Sequence, residues 1–317
     1  MNGARGANGA AGAVVPVVVI GGYLGSGKTT LVNHVLRTGT GRRTMVLVND
    51  FGALAIDDEL VVSADGGVVA LANGCVCCGL TAPLIETLVA LRDEGPGAGA
   101  PELLIVEASG VADPARVAAH ARIPGYALDG VVVVADAETV RRRSADPLVG
   151  PTVSRQLAAA DLVVCNKTDL VDTATRTSVR AWLGERAPGA RVVEAVHGAV
   201  PVSFVVDPGV PPPVSHDLRT GATSVGHGHE VWEWSSRVPL DRARVEALVA
   251  ALPEGVVRAK GVLALRDEPD RRTVFQLVGR RWELTRGAPW GNDPPSSRLV
   301  VIGATGSVGD GFASALE

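Results

Sequence analysis

Apolar residues along this chain fall into two rhythms. Five stretches are nearly continuous: VVPVVVI at 14–20, TMVLVND at 44–50, ELLIVEASG at 102–110, GVVVVAD at 130–136 and DLVVCNK at 161–167. Runs this short and this uniformly apolar describe strands covered on both faces, as in a parallel sheet. Between them apolar positions recur with a helical period, as in TTLVNHVLRTG and APLIETLVALRDEG. Pro83 falls in the first turn of the latter, where a missing N–H costs nothing. Strand and helix in alternation predict an α/β, doubly wound, mostly parallel sheet with right-handed crossovers.

The rhythm changes near residue 198. The segment 199–229 is rich in Pro, Gly and His and reads as a linker. Beyond it, VWEWSSRVPLDRARVEALVAAL predicts a strand and an amphipathic helix. The following GVVRAKGVLALRDEPDRRTVFQLVGRRWELTRG predicts strands broken by a DEPD turn. Residues 230–317 therefore form a smaller α+β domain. Residues 1–13, rich in Gly and Ala, read as a flexible tail, and residues 14–198 as the larger domain. The late stretch VVIGATGSVG at 300–309 imitates a dinucleotide-binding fingerprint. Only eight residues follow it, too few for the βαβ unit such a fingerprint opens, so a terminal strand and turn is expected.

With 317 residues and 46% hydrophobic content the chain can build a full core. Its net charge of -4 and pI near 5.9 give no basic footprint, so nucleic acid is not an expected partner. It shows neither a signal peptide nor an apolar run long enough for a bilayer, so no membrane role is expected and the cytoplasm is the expected location.

GGYLGSGKTT at 21–30 supplies the first candidate chemistry. Gly22, Gly27, Lys28 and Thr29 satisfy G-x-x-x-x-G-K-[ST] between a strand and a helix, the context that distinguishes a phosphate-binding loop from chance. Its glycines let successive N–H groups turn inward on a phosphate, and the helix N-terminus adds its positive end. Lys28 reaches the β- and γ-phosphates and the Thr29 hydroxyl is expected on Mg²⁺. Asn166, Lys167 and Asp169, after the fifth strand, fit N-K-x-D, whose carboxylate reads the N1–H and amine of guanine; an ordinary helix start is the bland alternative. Glu107 ends a buried strand, with Gly110 three residues on. Glu107 is expected to hold Mg²⁺, and the Gly110 N–H to sense a γ-phosphate as part of a switch. Val111 follows where a water-positioning glutamine could stand, so either intrinsic hydrolysis is slow or a residue elsewhere orients the water.

NGCVCCG at 73–79 holds three of the four cysteines, Cys75, Cys77 and Cys78. Clustered thiolates suit soft metals, and three without a second pair suggest an open site rather than a closed structural zinc site. Buried structural cysteines or a redox pair remain as alternatives. Cys165 lies inside a strand and reads as a small core residue.

In order, GGYLGSGKTT, VNDFGALAIDDEL, NGCVCC, VEASGVADP and NKTDL resemble the CobW-like family of P-loop GTPases, and the C-terminal segment is similar to that family's C-terminal domain. The resemblance covers nearly all of the chain after residue 13. It implies a GTP-dependent metallochaperone that loads zinc, cobalt or iron into a client protein. On that basis Gly22, Gly25, Ser26, Gly27, Lys28, Thr29 and Thr30 bind nucleotide and Mg²⁺, Asn166, Lys167 and Asp169 read guanine, and Cys75, Cys77 and Cys78 hold the transition metal. A metal sensor or scaffold that binds GTP without productive turnover is the competing reading, and self-association is left open. Two departures stand out. Asn49, Asp50, Phe51, Gly52 and Ala53 replace the family's Asn-Glu-Phe-Gly-Glu, and His216, His227 and His229 stand in place of a long His-rich tract.

Overall fold

The computed structural model describes residues 14–48, 68–70, 81–93, 100–207, 222–225 and 229–306. The first part of the chain builds a seven-stranded, wholly parallel sheet. Its strands are β1 (Val15–Gly21), β2 (Thr44–Val48), β3 (Val68–Ala70), β4 (Leu103–Glu107), β5 (Tyr126–Asp136), β6 (Leu162–Asn166) and β7 (Arg191–Glu194), in the order β3-β2-β4-β1-β5-β6-β7. The five apolar runs are β1, β2, β4, β5 and β6. The two further strands sit at the sheet edges and span three and four residues, too short to stand out as apolar runs.

Side chains alternate along each strand and so feed two cores. Val17 and Val19 face one, with Leu104, Val106, Val131, Val133 and Val163. Helices α2 (Thr81–Asp93), α3 (Pro114–His120), α5 (Gly150–Ala158) and α6 (Thr173–Arg186) cover that side, and α4 (Val140–Ala145) adds Val140 to it. Val18 and Ile20 face the other core, with Leu103, Ile105, Val132 and Val164. There α1 (Lys28–Thr38) contributes Leu31, Val32, Val35 and Leu36.

The second part is an antiparallel six-stranded sheet built from β8 (Ala222–Val225), β9 (His229–Ser236), β10 (Val256–Leu263), β11 (Arg271–Val278), β12 (Arg281–Pro289) and β13 (Ser297–Ala304), ordered β12-β11-β10-β13-β9-β8. Helix α8 (Arg242–Ala250) packs Val245 and Leu248 against Trp232, Trp234, Phe275 and Val301. Of the stretch 300–309, Val300, Val301 and Ile302 are interior residues of β13, paired on both sides. No helix among the described residues is long and apolar enough to cross a membrane.

The two sheets are joined closely. Val257, Val300 and Ile302 of the second enter the same core as α1. Of the segment expected as a linker, residues 201–207 are folded into the body: α7 (Val202–Val205) buries Phe204 and Val205, followed by buried Val206. Its surroundings of Pro and Gly masked four residues whose apolar faces meet α1, β10 and β13. Ion pairs, one of them fully buried, complete the seam. Arg258 of β10 grips both oxygens of Asp129 at 2.7 and 2.8 Å and donates to the Val205 carbonyl at 3.0 Å. Arg281 holds Asp161 in a fork at 2.8 and 2.9 Å. Burial pushes the Asp161 carboxyl up, and the Arg281 guanidinium opposes that shift.

Candidate functional site

The carboxyl ends of β1, β2 and β4 open onto a cleft of about 490 Å³. Its lining includes Gly25, Gly27, Lys28, Thr29 and Thr30 from the glycine loop, Val48 from β2, Glu107, Ser109 and Gly110 after β4, and Lys167 after β6. Ligands of open α/β sheets gather at this edge, because loops from several strands converge there.

The loop's shape follows from its glycines. Gly27 adopts φ 104°, and a Cβ there would stand 2.3 Å from the Asn166 amide nitrogen. Only glycine serves at that point. Gly27 is also the N-cap of α1 and supplies no side-chain cap, so the first N–H groups of the helix stay available to an anion. Lys28 opens α1 and lines the cleft.

Thr29 and Glu107 lie 78 positions apart and meet at the cleft: the Thr29 hydroxyl donates to Glu107 Oε1 at 2.7 Å. Glu107 is only 5% exposed and sits level with Ile20 and Val48 on the neighbouring strands. A hydroxyl and a carboxylate converging beside a phosphate loop are hard oxygen donors of the kind Mg²⁺ selects. The donor set therefore fits that ion. Ser109, two residues on, is buried, and its hydroxyl has no hydrogen-bond partner among the described residues.

Asn166 and Lys167 brace the loop from the other side. The Asn166 amide donates to the Ser26 carbonyl at 3.0 Å, and its oxygen accepts the Gly198 N–H at 2.8 Å. Lys167 takes a left-handed backbone, φ 61°, and its ammonium reaches the Gly25 carbonyl at 2.7 Å and Asp136 at 2.8 Å. Burial works to raise the Asp136 carboxyl. The Lys167 hydrogen bond and charge, with the N–H groups of Glu138 and Thr139, outweigh it and hold the group below the usual carboxylate range. Asp169 lies in the short 3-10 turn Thr168–Leu170, exposed, with no side-chain hydrogen bond among the described residues. Gly22 lies in the glycine loop with φ 136°.

Cys75, Cys77 and Cys78 lie outside the described residues, as do Asn49 to Ala53, His216 and His227. Among the described residues no three His, Cys, Asp or Glu side chains come together as a metal site. Cys165 is fully buried, and burial first, then the Glu194 charge, pushes its thiol up to about 11. It is a core residue.

Residues 16–194 match the family described as CobW/HypB/UreG, nucleotide-binding domain. This chain belongs to that family. Residues 229–316 also match the cobalamin synthesis protein cobW C-terminal domain. Among curated relatives of this CobW-type chain, a zinc chaperone CobW from Pseudomonas aeruginosa is 33% identical over 92% of this chain and 88% of its own. The zinc chaperone YjiA of Escherichia coli is 27% identical over 91% of this chain and 94% of its own. A zinc-regulated GTPase metalloprotein activator 1 from Dictyostelium discoideum is 24% identical over 87% and 68%.

Several residues that brace the loops of this CobW-type cleft carried no motif. Asp136 ends β5, next to the central strand β1, at the ligand edge, a position that could have marked it. The loop after β7, from Ala195 to Gly198, bonds to both Thr168 and Asn166 and had no signal beyond following a strand. Gln156 and Arg143 come from helices behind the cleft, and nothing local marks them.

Proposed function

We propose that this protein is a cytoplasmic, GTP-dependent metallochaperone that carries a transition metal, zinc first, on Cys75, Cys77 and Cys78 and passes it to a client protein. The observation that carries the nucleotide half is the Thr29–Glu107 contact beside the phosphate loop, with Asn166 and Lys167 braced against the same loop. The cargo half is supported by the three thiols and by relatives named zinc chaperones.

In this reading the N–H groups of Gly22 to Thr30 cradle the phosphates and Lys28 neutralises their charge. Thr29 and Glu107 hold Mg²⁺, which when bound spreads the charge of the β- and γ-phosphates. Asp169, exposed and two residues beyond the brace, reads guanine, while Gly110 senses the γ-phosphate. Val111 offers no amide to align water, so turnover is slow until a client binds. The carboxyl end of β3, Ala70, is level with Val48 and Glu107 and precedes Cys75 by five positions in sequence. That topology supports control of metal grip by nucleotide state. Thiolate ligation should also weaken at low pH, as protons compete for sulfur.

The test is an anaerobic zinc titration of the full chain with Mg²⁺ and either GDP or a non-hydrolysable GTP analogue, alongside the Cys77→Ser variant. Nucleotide-dependent affinity in the wild type and its loss in the variant are expected. Uptake unchanged by Cys77→Ser refutes the cargo site, equal affinity in both nucleotide states refutes the coupling, and hydrolysis of ATP as fast as GTP refutes the nucleotide assignment.

A further inference from the structure

Two loops press together at the mouth of the cleft, the glycine loop at Leu24 and the 108–112 loop at Gly110. A Cβ on Gly110 would stand 2.5 Å from Leu24 Cδ2 and 2.8 Å from its backbone nitrogen. Each loop is held from behind by one side chain of the packed pair α4 and α5. Arg143 donates to the Leu24 carbonyl, its guanidinium 5.1 Å from the Tyr23 ring centre. Gln156 gives its amide hydrogens to two carbonyls of the other loop, Gly110 at 3.1 Å and Ala112 at 3.0 Å.

Gln156 stands on the core stripe of α5, with Val153 and Leu157, and is 2% exposed. An amide among apolar neighbours costs free energy unless both of its hydrogens find acceptors. Here the acceptors flank Val111, and that loop's own bond is a single turn from Ala112 N–H to the Ser109 carbonyl. Holding the carbonyls of residues 110 and 112 anchors the 110–111 and 112–113 peptide planes, and so restrains Val111 and Ala112 between them and the ψ torsion of Gly110, the residue type with most freedom to lose.

We infer that Gln156 is a positioning residue for the γ-phosphate site: it holds the 110–112 loop in place so that Gly110 meets a third phosphate without first being ordered. The inference rests on the reading of Gly110 as the γ-phosphate sensor. A diphosphate does not reach that loop, so Gln156 governs discrimination between tri- and diphosphate rather than nucleotide affinity as a whole. Donors and dipoles held ready in advance contribute most where charge must be met without rearrangement.

The experiment titrates the full chain, with Mg²⁺, against fluorescent GDP and a fluorescent non-hydrolysable GTP analogue. Gln156→Met keeps the length and removes both donors. Gln156→Asn keeps an amide one methylene too short and serves if the first variant fails to fold. The expected result is roughly tenfold weaker binding of the GTP analogue, the loss of about one buried amide bond's worth of preorganisation. GDP affinity should change by less than about threefold. Equal weakening of both nucleotides, or no change in either, overturns the inference. Gly110→Ala separates it from its parent. If that variant leaves the GTP-to-GDP ratio intact, the sensor assignment itself fails; if it collapses the ratio while the Gln156 variants do not, only the positioning role fails.

Discussion

Replacing Arg258 by methionine removes one guanidinium from the seam between the two sheets. Arg258 is 2% exposed and its partner Asp129 1%. The variant loses two bonds to Asp129 and one to the Val205 carbonyl, while Asp129 retains the Asp207 N–H and the Gln276 amide. Taking one member from a buried pair costs about 3–5 kcal/mol, because the other charge stays in a low-dielectric setting. Unfolding entropy near 2.1 cal/mol/K per residue amounts to about 0.7 kcal/mol/K for 317 residues melting as one unit. The midpoint should therefore fall by about 4 to 8 °C.

Two probes follow the two halves. With Trp182 of α6 replaced by phenylalanine throughout, Trp232, Trp234, Trp282 and Trp290 report the second sheet by fluorescence, and release of a fluorescent nucleotide reports the first. Both transitions should coincide in the wild type and move down together in Arg258→Met. The double variant with Asp129→Asn should lose clearly less than the sum of the singles, since each single leaves one buried charge unpaired and the double leaves none. A fluorescence transition that drops while nucleotide release stays put would refute a single cooperative unit. Additive single costs would refute the pairing.

Three further outcomes are expected. Asp169→Asn should cut the preference for GTP over ATP by at least about a hundredfold with the melting temperature unchanged, because the carboxylate is exposed and its value lies in base recognition; competition binding reads it, and an unaltered preference counts against the assignment. Asp136, held below the usual carboxylate range, adds stability that is complete above its unfolded pKa of about 3.9 and fades as pH falls through the lower folded value. Urea midpoints of wild type and Asp136→Asn should thus differ by a constant amount from neutral pH down to about 5 and converge below about 4, whereas convergence on raising the pH would show the sign to be wrong. Cys165, with its thiol near 11, should stay unreactive at pH 8 in a Cys75, Cys77 and Cys78 triple serine variant until denaturant is added; labelling of the native variant would contradict its burial.

Local patterns made the central sheet readable. Val17 to Ile20 and Leu162 to Val164 are covered on both faces, so they are apolar without alternation, and the strand reading followed from that alone. The edge strands β3 and β7 are short, and Val192 and Val193 are only partly buried, so their pattern is weak. The phosphate loop was readable because its parts are consecutive. Short motifs also marked Glu107, Gly110, Asn166 and Lys167, but not how they meet, because those contacts span the chain: Asn166 to Ser26 crosses 140 positions, and Gln156 to Gly110 crosses 46. Spacing carries no trace of such pairs, and only the fold creates them.

The segment 195–207 shows what that long-range assembly achieves. Its Ala195 carbonyl accepts the Thr168 hydroxyl and its Gly198 N–H bonds Asn166, both in the motif after β6. His34 of α1 lies 2.8 Å from the Val200 carbonyl oxygen. The Val205 carbonyl accepts from Arg258, and Asp207 pairs with Lys260, both on β10. One short stretch therefore ties the Asn166–Thr168 segment, the helix that begins at the glycine loop, and the second sheet. Interiors packed at crystal-like density do not deform smoothly. Any shift of α1 on binding phosphate must repack α7 and the residues of β10 and β13 that share its core. The second sheet is in this way part of the cleft's mechanical support.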